Sequence, residues 1–227
     1  LEQGSWQIVS LHGRSCAVLP LGLRASDYIA PRAQRVAEIY LQLAAVGQPP
    51  AAEMAVILTP ESFFPYKMVP QELASWQSIL PDRTFLLLGT VGEVARGYVQ
   101  RYTAIDNKRV AHVYDKQVCI GLFETYNAHF LVHRLVQSLS SIPLGGLSER
   151  GATSRVWTSA AFPIRLLMCL EVIEPRCAKV GCTIAGGNEC WFPAWVGRLL
   201  RQAACWRSLI DREPLVWVGH QSSFLCQ

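Results

Sequence analysis

The sequence reads as an α/β chain. Three observations carry that reading: short runs of consecutive apolar residues bounded by proline, glycine or charge, longer segments with apolar residues every three or four positions, and the alternation of the two along the chain. Cys16-Ala17-Val18-Leu19 is a short buried strand. Pro31 suits the first turn of a helix over 31–45, where Val36, Ile39, Tyr40 and Leu43 recur at helical spacing, and Gln48-Pro49-Pro50 ends it. Met54–Leu58 is wholly apolar and is followed by Pro60, the pattern of a strand covered on both faces. Residues 70–80 read as a short helix and 84–88 as another buried strand, closed by Gly89. Residues 98–105 and 109–114 flank Asp106-Asn107-Lys108 as the arms of a hairpin. From 123 to 153 the pattern weakens to a helix over 130–139 and a loop at Gly145-Gly146, and an insertion or lid is expected there. Strands follow over 155–160, 164–170 and 179–184, then an amphipathic helix over 195–210, then closing strands at 215–219 and 223–226. With no repeat and no linker, 1–227 is expected to be one domain.

Composition narrows the function classes. At 227 residues, 51% apolar and 17% charged, the chain buries a large core and needs no disulfides to hold it, which excludes a disordered reading. The net charge of +4 is spread as isolated arginines, not gathered into a run that would track phosphates, so nucleic acid is not expected as a partner. Only Lys67, Lys108, Lys116 and Lys179 are lysines among 21 basic residues, and lysine is the one whose charge chemistry can tune. The eight cysteines lack the close pairing of a disulfide scaffold, so most are expected to be free thiols filling apolar space. Cys169, Cys177, Cys182 and Cys190 are separated by seven, four and seven residues, and His129 and His133 have no third partner, so no metal site and no cofactor is expected. No apolar stretch reaches membrane-spanning length. The chain begins at Leu1, which suggests a piece of a longer parent, and a membrane segment in that parent stays open, as does the compartment.

Three apolar strands each end in a reactive side chain: Glu61 after 54–58, Lys116 after 109–113, and Cys169 after 164–168. Sites in layered α/β folds form where strands run out. A nucleophilic thiol needs a base for its proton and an electropositive partner for the charge that develops on the substrate. With Glu61 as base, Lys116 can order that carboxylate and donate to an oxyanion, and the backbone N–H of Leu170 supplies a second donor. Taken singly, Glu61 also reads as a turn cap, Lys116 as a solvated strand-end charge and Cys169 as a buried thiol.

The motifs around these residues resemble those of the nitrilase, or carbon–nitrogen hydrolase, superfamily. Leu58-Thr59-Pro60-Glu61-Ser62 with Phe64-Pro65 resembles its glutamate motif, Tyr114-Asp115-Lys116 its lysine motif and Cys169-Leu170-Glu171 its nucleophile motif, while Asn188-Glu189-Cys190-Trp191-Phe192 resembles the run after the nucleophile strand. Glu124 falls where members place a second glutamate. Order and spacing are most similar to the apolipoprotein N-acyltransferase branch and to TraB-type conjugal transfer proteins. The sequence departs in Gly121-Leu122-Phe123, which lacks the usual Pro-Phe-Gly, in Glu189 where aspartate is usual, and in stopping at Gln227, before strands the family normally adds.

The resemblance implies a four-layer α-β-β-α sandwich, trimmed at its C-terminus if the chain is complete, and an acyl-enzyme thioester resolved by water or an amine. Its implied catalytic residues are Glu61, Lys116 and Cys169. Glu124 then keeps Lys116 charged or is a surface carboxylate, Glu171 lines the pocket or pairs with Arg176, and Leu170, Asn188, Trp191 and Phe192 surround the site or, for the aromatics, fill the core. The substrate is a small amide, a nitrile or an acyl lipid, and a homodimer is expected as an option. The competing reading is a non-catalytic assembly module of a membrane-linked conjugal transfer system.

Overall fold

The alternation within the apolar runs decides how the chain layers. In the computed structural model, which describes residues 1–11, 13–22, 31–45, 47–64, 66–94, 97–118, 153–158, 162–174, 180–188, 194–220 and 222–227, each buried strand sends successive side chains to opposite faces, and both faces are covered. The first sheet is formed by β1 (Gln7–Leu11), β2 (Arg14–Pro20), β3 (Met54–Leu58), β4 (Thr84–Val94), β5 (Gly97–Ile105) and β6 (Val110–Asp115), in that spatial order. The second runs β11 (Ser223–Cys226), β10 (Leu215–Gly219), β9 (Cys182–Gly187), β8 (Ile164–Met168), β7 (Val156–Trp157).

One set of side chains packs sheet on sheet: Val18, Val56, Leu58, Leu87 and Tyr102 from the first meet Leu166, Met168, Ile184, Val216 and Val218 from the second. The other face of the first sheet, including Leu19, Ile57, Leu86 and Leu88, packs on α1 (Arg32–Ala45) and α2 (Pro70–Gln77) through Ile39, Leu43 and Trp76. The other face of the second sheet, Leu167, Ala185, Leu215 and Trp217, packs on α3 (Ala194–Asp211) through Ala204 and Leu200. The result is helix, sheet, sheet, helix. Burying a Leu, Ile or Val side chain contributes roughly 1.5–3 kcal/mol, so the inter-sheet layer is the main source of cohesion.

α1 and α2 are tied by Arg32, which holds the Glu72 carboxylate at 2.9 and 2.6 Å and lies 4.3 Å over the Tyr66 ring. The same carboxylate caps α2 by accepting from the Val69 N–H at 3.0 Å.

Several elements differ from the sequence expectation. β1 was not foreseen because Ile8 faces solvent while Val9 and Leu11 face inward, a polar-flanked pattern too short to stand out. β4 continues to Val94 instead of stopping at Gly89, because Gly89 is an in-strand residue at a close backbone approach and not a breaker. β8 ends at Met168, two residues early, where the backbone of Cys169 turns to φ 50°. Against the expectation that most of the cysteines are free thiols, Cys205 and Cys226 are joined in a disulfide with Cα atoms 5.7 Å apart, linking α3 to β11. Cys16, Cys169 and Cys182 are buried and stand outside any disulfide. The expected helix over 130–139 and the Gly145-Gly146 loop lie outside the described residues.

Candidate active site

Glu61, Lys116 and Cys169 stand just beyond the C-terminal ends of β3, β6 and β8. β3 and β6 finish at the same edge of their sheet: β3 is parallel to β4, and the two antiparallel steps from β4 through β5 to β6 restore the direction.

The Glu61 loop is pinned to β4. Thr59 donates its N–H and its hydroxyl to the Leu87 carbonyl, each at 3.0 Å, and accepts from the Gly89 N–H at 2.8 Å. Phe64 donates to the Gly89 carbonyl at 2.9 Å. A Cβ at position 89 would collide with the Pro60 carbonyl oxygen, so glycine is what lets this loop lie down on the sheet. Ser62, at φ 54°, donates its hydroxyl to Gln100 Oε1 at 2.6 Å. On the far side His220 Nε2 sits 3.2 Å from the Glu61 carbonyl oxygen, and its ring stacks on Phe63.

Lys116 leaves the sheet with its own N–H donated to the Gln100 carbonyl at 2.8 Å, and its Nζ donates to Glu61 Oε1 at 2.7 Å. The two side chains are 0% and 2% exposed, so this is a fully buried ion pair in which each charge offsets part of the cost of burying the other. The neighbouring Asp115 carboxylate is held in a fork by Arg101 at 2.5 and 3.0 Å, which fixes where β6 ends.

Cys169 is buried and opens a 3₁₀ turn, Cys169–Ile173. Its positive φ is unusual for a residue with a side chain and stores on the order of 1–3 kcal/mol that the surroundings must hold in place. Leu170 is the second residue of this turn, where backbone N–H groups lack an intrahelical acceptor.

Glu171 is the bracket between the lysine and cysteine segments. Its Oε1 accepts from the backbone N–H of Gln117 at 2.6 Å and of Val118 at 3.0 Å, and its Oε2 from the N–H of Met168 at 2.8 Å. The Tyr114 hydroxyl reaches both oxygens at 2.7 and 2.6 Å, and Arg155 lies 3.8 Å away. One carboxylate therefore joins the residue after Lys116 to the residue before Cys169, so these two loops are bound together across the sheets.

Tyr102 sits at the centre. It is 0% exposed, and its phenol is raised well above the ordinary value of 10.0, first by burial and then by the charges of Glu61 and Glu171, with Lys116 acting the other way and Cys169 adding to the rise. Its hydroxyl fills the space a Cβ on Gly186 would occupy, and that Cβ would also come 3.0 Å from the Glu61 N–H nitrogen. Asn188 is buried just past the end of β9. Tyr102, His220 and Gly186 were not singled out from sequence, and Tyr114 entered only as the first residue of the lysine motif. Only the strand alternation, which puts Tyr102 on the same face as Ala104, gave any hint of the first. Glu124, Trp191 and Phe192 lie outside the described residues. Among the described residues no group of three His, Cys, Asp or Glu is arranged to hold a metal ion.

No protein-family model and no curated protein matches the sequence. Solved structures do. Nit3 of Saccharomyces cerevisiae, a member of branch 10 of the nitrilase superfamily, superposes with a TM-score of 0.57 at 11% identity, over 92% of this chain and 80% of that one. The fold is nitrilase-type. A carbon–nitrogen hydrolase from Helicobacter pylori G27 gives 0.57 at 11% identity, over 90% of this chain and 72% of its own. A CN-hydrolase superfamily protein from Xanthomonas campestris, solved with an arsenic adduct in its active site, gives 0.53 at 12%, over 82% and 69%. In the nitrilase-type sandwich the two central layers are the sheets described above, and the ends of β3, β6 and β8 carry the three chemistry-bearing side chains.

Proposed function

We propose that the chain is a carbon–nitrogen hydrolase-type enzyme that works through a cysteine thioester, with Cys169 as nucleophile, Glu61 as general base and Lys116 as the cation that orients the base and steadies developing negative charge. The observation that carries this reading is the buried Lys116–Glu61 ion pair, 2.7 Å long, in a loop system bound to the strained Cys169 turn by one carboxylate. A fully buried carboxylate–ammonium pair is an expensive arrangement for stability alone.

The steps follow from the groups present. Cys169 gives its proton to Glu61 as its sulfur bonds to the carbonyl carbon of the substrate. The C=O electron pair moves to oxygen, and the oxyanion takes hydrogen bonds from Lys116 Nζ and the Leu170 N–H. The pair returns, the C–N bond breaks, and the nitrogen leaves with the proton from Glu61. Water or an amine then yields a proton to Glu61 and attacks the thioester, and the sulfur departs and regains that proton. A nitrile would enter the same sequence through a thioimidate. The substrate class is an amide, a nitrile or an acyl donor, with no cofactor in any step.

The test is an adduct search by mass spectrometry after incubating the chain with an amide panel and with acyl lipids. An acyl mass on the peptide carrying Cys169, absent from Cys169→Ala, is the expected result. Equal modification of several cysteines by iodoacetamide at neutral pH, with no acyl adduct from any donor, overturns the proposal.

A further inference from the structure

Tyr102 of β5 buries a phenol where packing asks only for a ring. Its side chain is 0% exposed in the layer between the sheets, and its hydroxyl has no hydrogen-bond partner among the described residues. A phenylalanine would fill the same inter-sheet space without burying a donor that meets no acceptor, and leaving such a donor unsatisfied is the costly side of a hydrogen bond. The hydroxyl also obliges residue 186 to be glycine, since a Cβ there would run into the phenol oxygen. Gly186 lies in β9 between β8 and β10, and a glycine inside a central strand weakens it. Both costs trace to one oxygen atom.

That oxygen lies beneath the three chemistry-bearing groups. Tyr102 pairs in register with Tyr114 of β6, whose hydroxyl holds Glu171. Gln100, two residues before Tyr102 in β5, accepts the Lys116 N–H on its carbonyl. In the second sheet Gly186 pairs with Met168, so the hydroxyl meets that sheet one residue short of Cys169. The Glu61 backbone nitrogen lies 3.0 Å from the position of the same absent Cβ. Burial, and then the charges of Glu61 and Glu171, hold the phenol well above its ordinary 10.0, so it keeps its proton at neutral pH and can serve as a donor. Carboxylate oxygens around it already have donors: Lys116 Nζ holds Glu61 Oε1, and the Glu171 oxygens take three backbone N–H groups and the Tyr114 hydroxyl. The acceptor suited to an idle donor at this place is one that arrives with the substrate.

We propose that the Tyr102 hydroxyl is a catalytic hydrogen-bond donor to the carbonyl oxygen of the acyl group, a third donor beside Lys116 Nζ and the Leu170 N–H. As the Cys169 sulfur bonds to the carbonyl carbon, the C=O electron pair moves to oxygen, and the phenol turns its O–H to that oxygen without giving up the proton. When the pair returns and the leaving group departs, the hydrogen bond weakens again. A donor that is idle in the resting site and engaged as charge develops stabilises the transition state over the ground state. The inference rests on Cys169 being the nucleophile, as proposed above.

The experiment compares two reactions of the same thiol in the full chain, its Tyr102→Phe variant and its Cys169→Ala variant. Acylation by p-nitrophenyl acetate, followed as a burst of p-nitrophenolate, forms an oxyanion. Alkylation of Cys169 by iodoacetamide, followed by peptide mass, displaces iodide at a saturated carbon and forms none. Tyr102→Phe should slow the Cys169-dependent burst by more than about tenfold, leave alkylation within about twofold, and melt no lower than the parent, since it removes an unpaired buried donor. A smaller loss in the burst overturns the inference. So does a matching loss in both reactions or a lower melting temperature with both rates altered, because the hydroxyl would then act on the thiol or on the fold. In each of these cases the parent still gives a burst that Cys169→Ala lacks, so the nucleophile stands. A parent with no such burst overturns the nucleophile reading and this inference with it.

Discussion

Glu171→Gln probes the bracket between the lysine and cysteine loops with the smallest available change. The carboxylate accepts backbone N–H groups on both oxygens, two from Gln117 and Val118 on Oε1 and one from Met168 on Oε2. An amide of the same shape keeps one acceptor oxygen and turns an NH₂ toward whatever faced the other. If the oxygen stays with Gln117 and Val118, the Met168 N–H meets a donor and is left unsatisfied beside a fully buried group. A hydrogen bond to a charged acceptor contributes about 1.5–3 kcal/mol, and an orphaned buried donor costs about 1–3 kcal/mol. Partial relaxation and the retained Tyr114 hydrogen bond offset some of this, so a net loss of about 2–4 kcal/mol is expected. With a urea dependence of about 2–3 kcal/mol per molar for a domain of this size, the unfolding midpoint should drop by roughly 0.7–2 M with the slope unchanged. Alkylation of Cys169 should change in rate as well, because the Met168 peptide sets the direction of the strained cysteine. A midpoint within about 0.2 M of the parent, with the same alkylation rate, refutes the idea that this carboxylate couples the two loops.

Other perturbations act on the same construction. Lys116→Met removes the ammonium 2.7 Å from the buried Glu61 carboxylate and should cost about 3–5 kcal/mol in denaturant unfolding, while adding Glu61→Gln should restore part of that loss; additive losses in the double variant contradict a paired role. Gly89→Ala drives a methyl into the Pro60 carbonyl and should cost about 2–3 kcal/mol and displace the Glu61 loop, visible as a slower reaction at Cys169. Burial, and secondarily Glu53, pushes the Cys16 thiol up to about 11, and burial pushes Cys182 higher still. At pH 7.5 neither should react with iodoacetamide in the native protein, and modification of either at the rate of Cys169 contradicts the burial described. The phenols of Tyr102 and Tyr114 are both raised above the ordinary 10.0, chiefly by burial. Their folded-state values exceed the unfolded one, so their contribution is complete below pH 10 and is lost as pH rises beyond it. Absorbance at 295 nm should show these two ionising only as the protein unfolds, and reversible titration of all seven tyrosines near pH 10 in the folded state contradicts this.

Much of the architecture was written in the chain because strands covered on both faces carry uninterrupted apolar runs. Met54–Leu58 and Leu215–Gly219 fall where the runs place them, and the helix expected over 195–210 is α3 (Ala194–Asp211) within a residue at either end. The places that misled are those where a local rule yields to a tertiary contact. Gly89 looked like a strand terminator, yet its missing side chain is needed by Pro60 from a different segment. The disulfide joins residues 21 apart whose partnership no spacing rule reveals. At the site, Glu61 and Lys116 were legible as strand-end charges, and the order of motifs suggested that they meet. Glu171 was legible as a carboxylate near Cys169, but its work as a bracket depends on backbone amides, which carry no sequence signature.

The candidate site also depends on a joint that ordinary core arguments overlook. Glu61 and Lys116 belong to the first sheet and Cys169 to the second, so their mutual placement is set by how the two sheets slide on each other. Apolar side chains between the sheets give cohesion but little register, since a leucine packs nearly as well against several neighbours. Register comes from contacts with a defined end point. Among the contacts that cross the joint beside the site, two act in opposite senses: Glu171 from the cysteine turn to the amides after Lys116, and the hydroxyl end of Tyr102 in β5 driven against Gly186 of β9. The first pulls the sheets together at the loop ends and the second stops their approach within the core, and a tension paired with a stop defines a position. The strained backbone of Cys169 is what such a clamped joint can sustain, because relaxing it would require breaking the Glu171 bracket or moving Tyr102 through a backbone that has no room to yield.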